Sequence, residues 1–150
     1  LVVEEAGSYR CAHPVIAHVV RDGLTVSRRR EVHRTLALAL ERVKSPDDTH
    51  EVACEIARHA DRGGEPALAF RFALNAGRGA IERYAYAEAL SWLDLAASNA
   101  GSAEESDAVN RLTANVLETA GWSEPPPPSD LRGPLTREFL REDLDLPLRK

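Results

Sequence analysis

The segment from Glu65 to about Arg83 is apolar on nearly all sides, with Leu68, Phe70, Phe72, Leu74, Ala76 and Ile81 spread around its helical wheel. A helix of that kind must be sandwiched between other helices, which points to a helical stack. Its neighbours can be read on either side. Ser27 can cap a helix whose apolar positions Val32, Leu36, Ala39, Leu40 and Val43 fall on one face. Asp48, with Glu51 three residues on, suggests a capping box ahead of the stripe Val52, Ile56, Ala60. Gly63-Gly64 breaks that helix. Helices over Tyr86 to Ala97 and Ala103 to Ala120 complete the series, the last opened by Ser102 with Glu105. Upstream, Leu1 to Ala6 and Tyr9 to Ala12 read as a short β-hairpin, and Pro14 opens a helix that ends at Gly23. Downstream, Pro125 to Pro128 favour a stiff extended linker, and Leu135 to Leu148 leave room for one short amphipathic helix.

Small residues carry a second pattern. Ala73-x2-Ala76-Gly77-x2-Ala80, followed by Ala89-x3-Leu93-x2-Ala96, reproduces the spacing of a tetratricopeptide repeat of about 34 residues. Small side chains at these places let the two helices of a hairpin approach closely, with Tyr86, Leu90 and Trp92 supplying bulk around the seam. If the seam brings Gly77 against Ala89, a larger residue there has no room. The expected fold is mainly α, a short N-terminal β-hairpin followed by tetratricopeptide-like helical hairpins. Residues 1–46 make an N-terminal segment, 47–122 the repeats, and 123–150 the proline linker and tail. The last repeat helix would leave Val109, Leu112 and Val116 without a successor, a face for the tail to cover.

Composition narrows the function. With 43% hydrophobic and 29% charged residues, a folded, cytoplasmic chain is expected, and no apolar run is long enough to span a bilayer. A net charge of -5 argues against a dedicated nucleic-acid binder. Cys11 and Cys54 form no CxxC and read as reduced thiols. Met is absent and the chain opens on Leu1-Val2-Val3, which reads as an internal start within a larger protein. Catalytic patterns are missing. There is no G-x-x-x-x-G-K-[ST] loop, and Gly77-Arg78-Gly79 reads as helix packing. The pairs His13/His18 and His50/His59 lack the i,i+4 spacing of two ligands on one helix, and Cys54 and His59 fall off one face, so no metal set is expected. Asp47-Asp48 and Glu104-Glu105 sit in first turns, where acids complement the helix dipole.

The stretch Tyr9-Arg10-Cys11-Ala12-His13-Pro14-Val15-Ile16, continued by Ser27-Arg28-Arg29-Arg30-Glu31-Val32-His33, resembles a recurring part of bacterial STAND-type signal-transduction ATPases. These occur in LuxR-type regulators and in adenylate-cyclase-associated ATPases. The resemblance covers roughly Tyr9 to Ala97. It implies that residues 1–46 are a winged-helix-like segment, with the β-hairpin as its remnant, leading into tetratricopeptide repeats. It also places His13 where relatives carry a histidine that faces the bound nucleotide, so ATP or ADP would be held by the full-length protein and no cofactor by this chain. Arg28, Arg29 and Arg30 open a helix against its dipole, and become candidates for contact with an anion or an acidic partner.

The function these readings imply is a non-catalytic regulatory and protein-interaction module, relaying nucleotide state to a helical-repeat scaffold. Its partners would be another protein, neighbouring domains of the same protein, or a second copy, with neither nucleic acid nor membrane. The alternative is a winged-helix DNA-binding module that lays the Ser27 to Val43 helix in a groove.

Overall fold

The computed structural model of the protein describes residues 2–5, 8–11, 23–43 and 50–124. Its architecture is mainly helical, with α1 Val26–Val43, α2 His50–Gly63, α3 Pro66–Glu82, α4 Tyr86–Asn99 and α5 Ala103–Ala120 among the described residues. Two four-residue backbone segments, β1 Val2–Glu5 and β2 Ser8–Cys11, pair antiparallel with Val2 opposite Cys11. His13, the Pro14 helix, the Asp48 cap, the Pro125 to Pro128 linker and the Leu135 to Leu148 tail lie outside the described residues.

Local chemistry sets the helix ends. Thr25, two residues ahead of the expected Ser27, caps α1: its Oγ1 accepts the backbone N–H of Arg28 at 3.3 Å. Pro66 takes the first position of α3, where its missing N–H costs nothing. Gly64, at φ +73, lets the chain reverse between α2 and α3. The Ser102 hydroxyl accepts the N–H of Glu105 at 3.2 Å, and the Glu105 carboxylate in turn accepts the N–H of Gly101 at 2.7 Å. The return bond thus lands one residue before the cap. α5 stops at Gly121, φ +69, where the N–H of Trp122 reaches the carbonyl of Leu117 at 2.9 Å.

Each helix packs on its predecessor in the chain. His50 meets Glu88, and Asn99 donates to Asp61 at 3.0 Å, so α2 and α4 start together, end together and run parallel. α3 lies against both in the opposite direction. It buries Leu68, Ala69, Phe70, Phe72, Ala73, Ala76, Gly77 and Ala80, as a sandwiched helix must. Trp92, Ile56 and Leu93 are the bulkiest fully buried side chains, and all three belong to the one hydrophobic core.

Two expectations about faces are corrected. Of the expected stripe on α1, Leu40 packs half-buried against the core, but Val32, Leu36 and Val43 are 38%, 42% and 77% exposed, and Ala39 is exposed too. α1 instead turns Ala37 and His33 toward α2, because the two backbones cross closely at Gly63, where a Cβ would fall 2.6 Å from the amide nitrogen of Arg34. Only a narrow strip fits so tight a crossing. At the other end, Val109 and Val116 of α5 are buried and Leu112 is half-buried, so this face already has its cover. The outward side of α5 carries Glu104, Asp107, Asn110, Arg111, Asn115 and Glu118, all exposed.

Candidate protein-interaction surface

The first turns of α1 carry Arg28, Arg29 and Arg30, all exposed, but they are not equivalent. Arg30 donates from Nε to the Gly63 carbonyl at 3.3 Å, and so places its cation at the C-terminus of α2, where the dipole favours it. Arg29 reaches the Leu24 carbonyl at 3.5 Å. One turn on, Arg34 pairs with Glu65 at 2.6 Å, and Glu41 pairs with Arg71 of α3. Arg30 and Arg34 are thus engaged along the side that faces α2 and the loop after it. Beside it, Arg28, Glu31, Val32, Thr35 and Leu36 line a shallow open groove of about 410 Å³. An apolar strip with polar edges on an exposed helix has the character of a contact surface.

Beneath α1, His33 and His59 face each other at 2.9 Å between their Nδ1 atoms, with ring centroids 5.0 Å apart. One nitrogen must donate and the other accept, so the two rings cannot both be charged. Burial, then the charge on His33, then Arg62 and Arg58 push His59 down to about 4. Burial, then Arg62 and Arg29, also lower His33.

The small-residue seam lies between α3 and α4. Ala73, Ala76, Gly77 and Ala80 are buried on α3, and Ala89, Leu93 and Ala96 on α4. Gly77 looks at Leu93 and Trp92, where an added Cβ would come 3.2 Å from Leu93 Cδ2 and 3.6 Å from Trp92 Cβ. Its partner is therefore the next turn of α4, not Ala89. Gly79 makes room for a different residue: a Cβ there would sit 2.8 Å from His50 Nδ1.

That histidine belongs to a cluster the sequence reading overlooked. Cys54 Sγ lies 3.3 Å from His50 Nε2, which lies 3.0 Å from Glu88 Oε1. Trp92 Nε1 donates to the same carboxylate oxygen at 3.2 Å, and Arg83 to the other at 3.4 Å. Burial alone would raise the Glu88 carboxyl, but the hydrogen bonds from His50 and Trp92, with the nearby charges, outweigh it and hold the group below its ordinary value. The signal lies in the sequence: His50 and Cys54 are four residues apart on one helix, a spacing that the pairs His13/His18, His50/His59 and Cys54/His59 lack.

Among the described residues, no helix is long and apolar enough to cross a membrane. Comparison with known proteins finds no matching family model, no matching curated protein and no matching solved structure. The likeness to STAND-type ATPases therefore rests on the motifs themselves.

Proposed function

We propose that this chain is a non-catalytic protein-interaction module, a tetratricopeptide-like helical scaffold within a larger ATP-dependent signalling or transcriptional regulator of STAND type. Two features support the repeat reading. Pro66 to Asn99, the α3–α4 hairpin, spans 34 residues from the first residue of α3 to the last of α4, close to one repeat length. The close-packed glycine and alanines sit on the facing sides of that hairpin.

The observation that carries the function is the outward face of α1. It holds Val32, Leu36 and Val43 exposed, while Arg30 and Arg34, which would serve nucleic acid, are tied to a carbonyl of α2 and a carboxylate of the loop that follows it. A groove-reading helix presents free cations to phosphates; this helix presents apolar side chains bordered by Glu31 and Thr35. The occupant is a neighbouring domain of the same protein, whose position depends on whether ATP or ADP is bound, with His13 reporting the nucleotide.

A photo-crosslinking residue at Leu36 of the full-length protein tests this reading. It should capture a protein segment, with a yield that differs between ATP and ADP. Salt-sensitive binding to duplex DNA, abolished by Arg28→Glu with Arg29→Glu, would instead establish the DNA-binding alternative.

A further inference from the structure

The cluster of His50, Cys54 and Glu88 has the donor chemistry and spacing of a metal centre, and the repeat scaffold does not account for it. The three ligand atoms, Nε2, Sγ and a carboxylate oxygen, lie within 4.8 Å of one another, with the two closer separations at 3.0 and 3.3 Å. Donors that surround one tetrahedral ion at roughly 2.0–2.3 Å are themselves about 3.3–3.5 Å apart. To close on an ion, the longest side, up to 4.8 Å, must contract by about 1.3 Å and the 3.0 Å side between His50 and Glu88 must open by about 0.3 Å, movements within reach of side-chain rotation. We propose that His50, Cys54 and Glu88 form a binding site for a divalent transition cation, with Zn2+ the best match.

Each residue contributes in a definite way. Cys54 is buried and sits one helical turn after His50, so α2 delivers a thiol and an imidazole from one face. Glu88, in the first turn of α4, closes the site from the neighbouring helix, and its carboxylate is oriented by Trp92 on one oxygen and Arg83 on the other. Such an outer hydrogen bond is what fixes a ligating carboxylate. His50 Nδ1 is buried against Gly79 with no hydrogen-bond partner among the described residues, which leaves Nε2 as the ring atom able to bind.

The charge balance also fits. On binding, Cys54 gives up its thiol proton to solvent, Glu88 is already ionised, and His50 moves its proton from Nε2 to Nδ1. A dication then meets one thiolate, one carboxylate and one neutral imidazole, for no net charge in a half-buried place beside Arg83. A thiolate with an imidazole favours zinc over magnesium or calcium, which take oxygen donors. The Nδ1–H gains no acceptor, so the affinity should fall short of a four-ligand structural zinc site. Three protein ligands leave one coordination position for water or for a group from a partner.

Cobalt(II) is the probe, titrated into the whole chain, with zinc as competitor. Binding should give visible d–d absorption and a near-ultraviolet thiolate charge-transfer band, saturating at one equivalent and erased by Zn2+. Cys54→Ser should remove the charge-transfer band, whereas Cys11→Ser should keep it. Glu88→Gln should weaken zinc binding, measured against a chelating dye, by roughly tenfold or more. It also serves as the decisive variant if Cys54→Ser fails to melt cooperatively. Absence of a saturable band, its loss in Cys11→Ser, or unchanged zinc affinity in Glu88→Gln would overturn the site.

Discussion

Among the described residues, the two end helices, α1 and α5, are both 18 residues long and both touch the stack on one side only, yet they finish it differently. α5 turns Val109 and Val116 inward and shows solvent a row of charged and amide side chains. It behaves as a closing helix, as the polar outer face of a terminal repeat does. α1 buries only Ala37 fully and shows solvent Val32, Leu36 and Val43. One end is chemically finished and the other is not. A helical stack whose units contact only their neighbours can carry that asymmetry without strain, because α3 and α4 supply the middle regardless of what covers α1.

If the middle holds both ends, its largest side chain should dominate stability. Trp92→Ala is expected to cost about 3–5 kcal/mol, read from denaturant unfolding. A loss under about 1 kcal/mol would mean that the ends, not the middle, carry the fold. Next in size is the seam. Gly77→Leu must displace Leu93 and should destabilise by about 1–3 kcal/mol, whereas Arg78→Leu, exposed one residue away, should stay within about half a kcal/mol. Equal tolerance at the two positions would reduce the hairpin to a generic helix pair.

The α1–α2 contact should also be the acid-sensitive one. The unfolded chain binds a proton on His59 near pH 6.5, while the folded chain refuses it until about 4. Stability present above pH 6.5 is therefore lost as the pH falls toward 4, and changes no further below that on this account. His33, lowered in the same direction, adds to the loss. Discounted for the rings' partial access to water, the effect should be about 1–2 kcal/mol. His59→Phe should flatten this part of the stability–pH curve. A curve that keeps its slope in the variant would place the sensitive group elsewhere.

How far the chain's own letters reach depends on the kind of information. The helix start at Ser102 was legible because a serine cap acts within a few residues, while α3 begins at Pro66, one residue after the expected Glu65. The sandwiched character of α3 was legible because no other environment suits a helix apolar all round. Which face of α1 is covered was not, since the close crossing at Gly63 and Arg34 decides it, and that contact joins residues 29 positions apart. The partner of Gly77 was missed by one turn for the same reason. The metal-ligand cluster was half legible: His50 and Cys54 share a helix face, but Glu88 joins them only once α2 and α4 lie parallel. His13 and the tail fall outside the described residues.

The smallest expected effect is the sharpest test of the two ends. Leu36→Asp places a charge in the middle of α1's outward face, where the side chain already meets water. Folded stability should change by no more than about half a kcal/mol, because no buried contact is removed and no charge is desolvated. Binding of a hydrophobic dye to the intact chain should fall at the same time, since the variant interrupts the apolar strip that Leu36 shares with Val32. The exposed face of α5, probed by Asn115→Asp, should show neither a stability change nor a dye change. A cost above about 2 kcal/mol at Leu36 would mean that the chain's own residues outside the described set already cover α1. That end would then be as closed as α5, and the partner surface would have to be sought elsewhere.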